Sequence, residues 1–180
     1  MPGFAIGDNI LPVFAQDPSA TVDPLRSYRW RIATITQPGG QAIYTSSEVI
    51  PVELTLPSKS FEQLEISGVS QKYKFAKSVS FDDVTVTLYD LVGLQKKFED
   101  WMDKVWTKDA GLQTDYKGTA EFHLIDGQGG EKPLVSFKLI NTWPKKLNHS
   151  QLSMSTNEFK LLTITFAYDW YEFTSNAKSQ

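Results

Sequence analysis

The stretch FDDVTVTLYDLVGLQKKFEDWMDKVW, residues 81–106, decides the fold. Its first half alternates. Val84, Val86 and Leu88 share one face, and Thr85, Thr87 and Tyr89 share the other. Period two with β-branched residues predicts a strand with one buried face. The period then changes. Leu91, Leu94, Phe98, Trp101, Met102 and Val105 recur at three- and four-residue steps, while Lys96, Lys97, Glu99, Asp100, Asp103 and Lys104 fill the opposite side. That spacing predicts an amphipathic helix over about residues 91–106. Asp82 and Asp83 stand at the start of the strand. Neighbouring strand residues point to opposite faces, so the two carboxylates do not converge on one metal ion or substrate atom. They are expected to cap and solvate the strand start.

Outward from this centre, most segments alternate. Tyr28, Trp30 and Ile32 oppose Arg29 and Arg31. Ile50, Val52, Leu54 and Leu56 oppose Glu53 and Thr55, and Pro51 marks that strand as an edge or a bulge. Ala120, Phe122 and Leu124 form one face of a later strand. Val135, Phe137 and Leu139 form one face of the next, opposite Leu134, Ser136, Lys138 and Ile140. The last strand places Leu162, Ile164, Phe166, Tyr168 and Trp170 together. Residues 57–77 carry strand-like fragments around Gly68, with Lys72 and Lys74 alternating with Tyr73 and Phe75. About seven strands and one helix predict a mainly β fold: a small antiparallel barrel or sandwich with one flanking helix. Residues 1–26, with four prolines, read as an extended arm, 27–173 as a single domain, and 174–180 as a polar tail.

Composition narrows the function. The 180 residues carry a net charge of −3 and no cysteine. Disulfides and thiol chemistry are excluded, and a dedicated nucleic-acid binder would show a basic stripe. The N-terminus lacks a basic region and its apolar run is interrupted by Asp8 and Pro12, so no signal peptide is read; no stretch is long enough for a membrane anchor. His123 falls beside Glu121 on a polar strand face. His149 falls in a loop before Ser150, where a serine triad can be drawn on paper with Ser150 or Ser153 but without a nucleophile elbow. The glycines of GQGG, 127–130, fit a hairpin turn. No phosphate loop, dinucleotide fingerprint or metal motif occurs, so neither catalysis nor a cofactor is expected.

Four stretches, in order, resemble the tail tube proteins of contractile-tailed (T4-like) bacteriophages and related contractile injection systems. They are DPLRSYRWRI; FDDVTVTLYD followed by LQKKFEDWMDK; FKLINTWPKKLNHSQLSMS, with an aromatic-proline turn at Trp143–Pro144; and LLTITFAYDWYE. Together they spread over most of residues 23–173. The resemblance implies a β-barrel whose copies form homohexameric rings, stacked into a hollow tube in the virion tail and assembled in the bacterial host cytoplasm. It implies tail sheath, tape-measure, baseplate and tail-terminator proteins as partners, and DNA passing the lumen without specific binding. Residues 57–77, and Lys72, Tyr73, Lys74 and Phe75 in particular, are expected to contact the adjacent ring. Two alternatives stand beside this: a baseplate or tube-initiator paralogue, and a carbohydrate-binding β-sandwich using Trp143, Trp170 and Tyr171.

Overall fold

The computed structural model describes residues 29–45, 51–91, 93–107, 112, 115–125, 133–150 and 159–176. The expected N-terminal arm and the 127–130 turn lie outside them. Among the described residues ten strands and one helix follow in order: β1 Trp30–Thr36, β2 Ala42–Thr45, β3 Pro51–Leu54, β4 Ser58–Ser67, β5 Lys72–Asp82, β6 Val84–Tyr89, α1 Leu94–Trp106, β7 Gly118–Leu124, β8 Val135–His149, β9 Leu161–Ala167 and β10 Trp170–Ser175. Every strand pairing is antiparallel. Eight strands form one sheet in the order β2-β1-β7-β8-β9-β6-β3, with β10 also on β8; β4 and β5 form a separate hairpin. The fold is the mainly β, single-helix class that the alternation predicts.

The sheet folds over at β8. This fifteen-residue strand pairs β7 and β10 through its first half and β9 through its second. The change falls at Asn141, whose φ of 56° is left-handed. Asparagine tolerates that conformation better than most residues, because its short side chain finds a local partner. Here its amide donates to Asp169 at 2.9 Å. The facing strand breaks at the same level, at Tyr168–Asp169, so the alternating run that reads as one final strand is two, β9 and β10. Trp170 therefore leaves the expected core face and is 46% exposed. Trp143–Pro144 is not a turn either. Both lie within β8, where a register shift between Pro144 and Lys146 absorbs the proline, which cannot donate to the ladder.

The core lies between the two halves of the sheet. Ile32, Ile35, Ala120, Phe122 and Leu139 come from one half and Val84, Val86, Leu88, Leu162, Ile164 and Phe166 from the other. A register shift between Ile32 and Thr34 brings Ile35 into this core where strict alternation would bring Thr34. Helix α1 contributes Leu94, Phe98 and Trp101. It starts at Leu94, after a left-handed Gly93, and so leaves Leu91 outside and exposed. The Trp101 indole donates to the Tyr116 carbonyl at 2.7 Å, which satisfies its one polar atom in the core. β3 ends the strand path and is also bulged, between Pro51 and Glu53. The bulge undoes the expected four-residue apolar face: Leu54 packs on the core, but Val52 and Leu56 are exposed.

Candidate functional site

The chemistry expected of the sequence-level candidates is structural. Asp82 is the last residue of β5 and Asp83 the single residue between β5 and β6, so the acids join two strands and do not open one. Asp82 accepts from the Ser58 hydroxyl and closes the base of the hairpin. Asp83 pairs with Lys145 at 2.7 Å. The carboxylates thus serve different partners. His123 lies where expected, with Nε2 at 2.8 Å from Glu121 Oε1. His149 is the last residue of β8 and not a loop residue; it faces Glu99 on α1 at 3.3 Å. Ser150 is used as well, its hydroxyl accepting from the Leu161 backbone N–H at 3.0 Å. Ser153 lies outside the described residues. Among the described residues no cluster of three His, Cys, Asp or Glu side chains is placed to hold a metal, and no helix is long and apolar enough to cross a membrane.

The three aromatics of a sugar-binding platform are not brought together. Trp143 packs edge-on against Tyr116 at 6.2 Å. Trp170 and Tyr171 are neighbours on β10 and so face opposite ways. Tyr171 packs instead with Phe81, Tyr168 and Phe137.

Three features remain as surfaces. The first is the β4–β5 hairpin. Every residue of its two strands is exposed except Phe81, which is half-buried. Phe61, Leu64, Ile66, Tyr73, Phe75 and Val79 are large apolar side chains among them. At about 3.3 Å per residue its ten-residue arm reaches about 30 Å. Its root is seated on the body: the Phe81 ring lies 5.8 Å from Tyr168 and 6.0 Å from Tyr171, and the Tyr168 hydroxyl donates to the Ser58 carbonyl at 3.4 Å. Burial, then Tyr171, Asp82 and Asp83, push the Tyr168 hydroxyl up to about 12. Lys72, Tyr73, Lys74 and Phe75 lie on β5 near the hairpin tip, all exposed. The sequence shows their alternation but not the partner strand, because pairing over twenty residues has no local signature.

The second feature is the set of end strands. Among the described residues β2 and β3 end the strand path and β10 pairs with β8. The third is the threonine face of β6 and β9, where Thr85 meets Thr165 at 3.4 Å and Thr87 meets Thr163 at 3.3 Å, hydroxyl to hydroxyl. An uncovered apolar hairpin is a liability for a lone subunit and a joint for an assembling one. The class defined is a structural β protein with an exposed apolar hairpin.

The sequence matches the T4-like virus tail tube protein gp19 family over residues 38–172, and the chain belongs to that family. Comparison with curated proteins gave no match. Among solved structures, it is similar to a chain of the sheath/tube terminator of an extracellular contractile injection system, PVC, in the extended state. The TM-score is 0.69 at 15% identity, covering 87% of this chain and 100% of that one. A chain of the sheath–tube complex of such a system gives 0.62 at 17% identity, covering 86% and 94%. An Hcp protein gives 0.53 at 12%, covering 84% and 95%. At these identities the likeness is one of fold. The family and these neighbours are structural components of tubes and contractile injection systems.

Proposed function

We propose that this chain is a repeating subunit of the inner tube of a contractile tail: six copies close a ring, rings stack, and the hollow column conducts DNA. The observation that carries this reading beyond family membership is the hairpin. A two-stranded ribbon is marginal in water without cover, and this one carries six large exposed apolar side chains. A neighbouring copy supplies the cover. In this reading Lys72, Tyr73, Lys74 and Phe75 contact the adjacent ring, and the subunit has no catalytic role. Its partners are the tail sheath, the tape-measure protein, and the baseplate and terminator proteins at the two ends. It works in the virion tail, after assembly in the bacterial host cytoplasm. The net charge of −3, roughly −18 over six copies, disfavours gripping of phosphates.

Negative-stain electron microscopy with native mass spectrometry tests the reading. Hollow tubes built from sixfold rings support it, and a chain that stays monomeric at every concentration overturns it. Replacing both Tyr73 and Phe75 by alanine is expected to shorten or destabilise the tubes; unchanged tubes remove these residues from the contact.

The likeness to a tube terminator favours one second reading, a ring at the end of the tube. Single rings that do not elongate, but bind preformed tubes, would select it.

A further inference from the structure

The hairpin changes its apolar side partway along. In β4–β5 the register pairs Lys59 with Phe81 and Phe61 with Val79, then Gln63 with Ala76, Leu64 with Phe75, Glu65 with Lys74 and Ile66 with Tyr73. Between Phe61 and Gln63 there is one residue, Glu62, and between Val79 and Ala76 there are two, Ser78 and Lys77. β5 thus carries one extra residue, a bulge. Both bulge residues turn to Glu62: Lys77 Nζ lies 3.1 Å from its carboxylate and the Ser78 hydroxyl donates to it at 2.9 Å. β4 itself is uninterrupted, so its strict alternation assigns the faces.

At the root, one ribbon face is apolar, with Phe61, Val79 and Phe81; the other is polar, with Ser60 bonded to Ser80 at 2.8 Å and Ser58 bonded to Asp82. At the tip the two exchange. Leu64, Ile66, Tyr73 and Phe75 now occupy the face that was polar. Gln63, Glu65, Lys72 and Lys74 occupy the face that was apolar, with Lys72 and Glu65 paired at 2.8 Å. Tyr73 and Phe75 therefore do not share a face with Lys72 and Lys74.

We propose that the Lys77–Ser78 bulge sets the phase of an interaction surface. Phe81 seats the root on the Tyr168–Tyr171 cluster of its own body, while the tip presents Leu64, Ile66, Tyr73 and Phe75 on the other ribbon face to a second copy of this chain. β4 itself changes faces, its apolar residues stepping from Phe61 to Leu64 and Ile66. If the same sequence were paired without the bulge, alternation along β5 would leave Tyr73 and Phe75 in phase with Val79 and Phe81, on the face opposite Leu64 and Ile66, and the tip would have no continuous apolar face. Charge complementarity favours a second copy as the occupant. The bulge and tip, residues 62–77, have three lysines and two glutamates, a net of +1, so the remainder of a chain of net −3 carries −4. A basic, apolar tip meets an acidic body. The proposal rests on the tube reading above.

The test measures the concentration at which tubes form, by sedimentation and electron microscopy. It compares the full chain with two variants: Leu64→Ser with Ile66→Ser, and Gln63→Ser on the opposite face. The first is expected to raise that concentration about tenfold or more, the size of a lost interface anchor, with the melting temperature of the free subunit unchanged; Gln63→Ser is expected to leave it unchanged. Assembly of the Leu64/Ile66 variant at the wild-type concentration overturns the proposal while the tube reading stands, and means that the tip faces a different protein. A wild-type chain that never assembles overturns the tube reading itself.

Discussion

Single residues fix the corner where the sheet folds. Lys117, largely buried, donates to both carboxylate oxygens of Asp169 at 2.8 Å, and Asn141 donates to the same group. Burial pushes the Asp169 carboxyl up, but Lys117 and Asn141 outweigh it and hold the carboxyl below its ordinary value of 3.8. A carboxyl lowered on folding is protonated first in the unfolded chain as pH falls. Its contribution is therefore complete above pH 3.8 and is lost below it, as pH falls toward the folded value. Asp169→Asn is expected to flatten the acid limb of stability against pH in that range, read by denaturation at stepped pH. Tyr168 acts with the opposite sign. Its hydroxyl is raised from 10.0 to about 12, so the stability it lends is complete below pH 10 and is lost as pH rises toward 12; Tyr168→Phe is expected to remove that alkaline loss. Gly118 is fixed by space. A Cβ there would overlap the Thr36 carbonyl oxygen and stand 3.0 Å from the Trp101 ring. Gly118→Ala is expected to cost about 1–3 kcal/mol in chemical denaturation, the usual range for overpacking.

At the scale of elements, the helix is the best test of the core. Phe98 and Trp101 are fully buried and both pack on Phe166. Phe98→Ala is expected to cost about 3–5 kcal/mol, measured by denaturant midpoint, with loss of the near-ultraviolet circular dichroism of the Trp101 surroundings. β6 and α1 were legible because each keeps one period throughout: Val84, Val86 and Leu88, then Leu94, Phe98 and Trp101, are all buried. Legibility failed wherever a strand absorbs an irregularity. The alternation at 161–173 runs on in sequence through Tyr168, but the chain bends there because β8 bends opposite it. Val52 leaves the core face through a bulge that the sequence shows only as Pro51. Lys72, Tyr73, Lys74 and Phe75 were found as a set from alternation with lysine. Their division between two faces, and their partners Leu64 and Ile66, depend on a register that only the paired strand reveals.

On the scale of the whole molecule, body and hairpin are separable. None of the buried core residues belongs to β4 or β5. Replacing residues 59–81 by a short turn is expected to give a folded body that no longer forms tubes, checked by circular dichroism and electron microscopy side by side. The general form of the body was readable from strands that alternate around one helix. Its layering was not, because a sheet doubled over on a shared strand contains the same alternation as two separate sheets.

That shared strand has a mechanical meaning. β8 runs unbroken from Val135 to His149 and pairs with β7 and β10 at one end and β9 at the other. A load placed on one half of the body reaches the other through covalent backbone, not through side-chain packing alone. A subunit with such a strand resists shear between its halves.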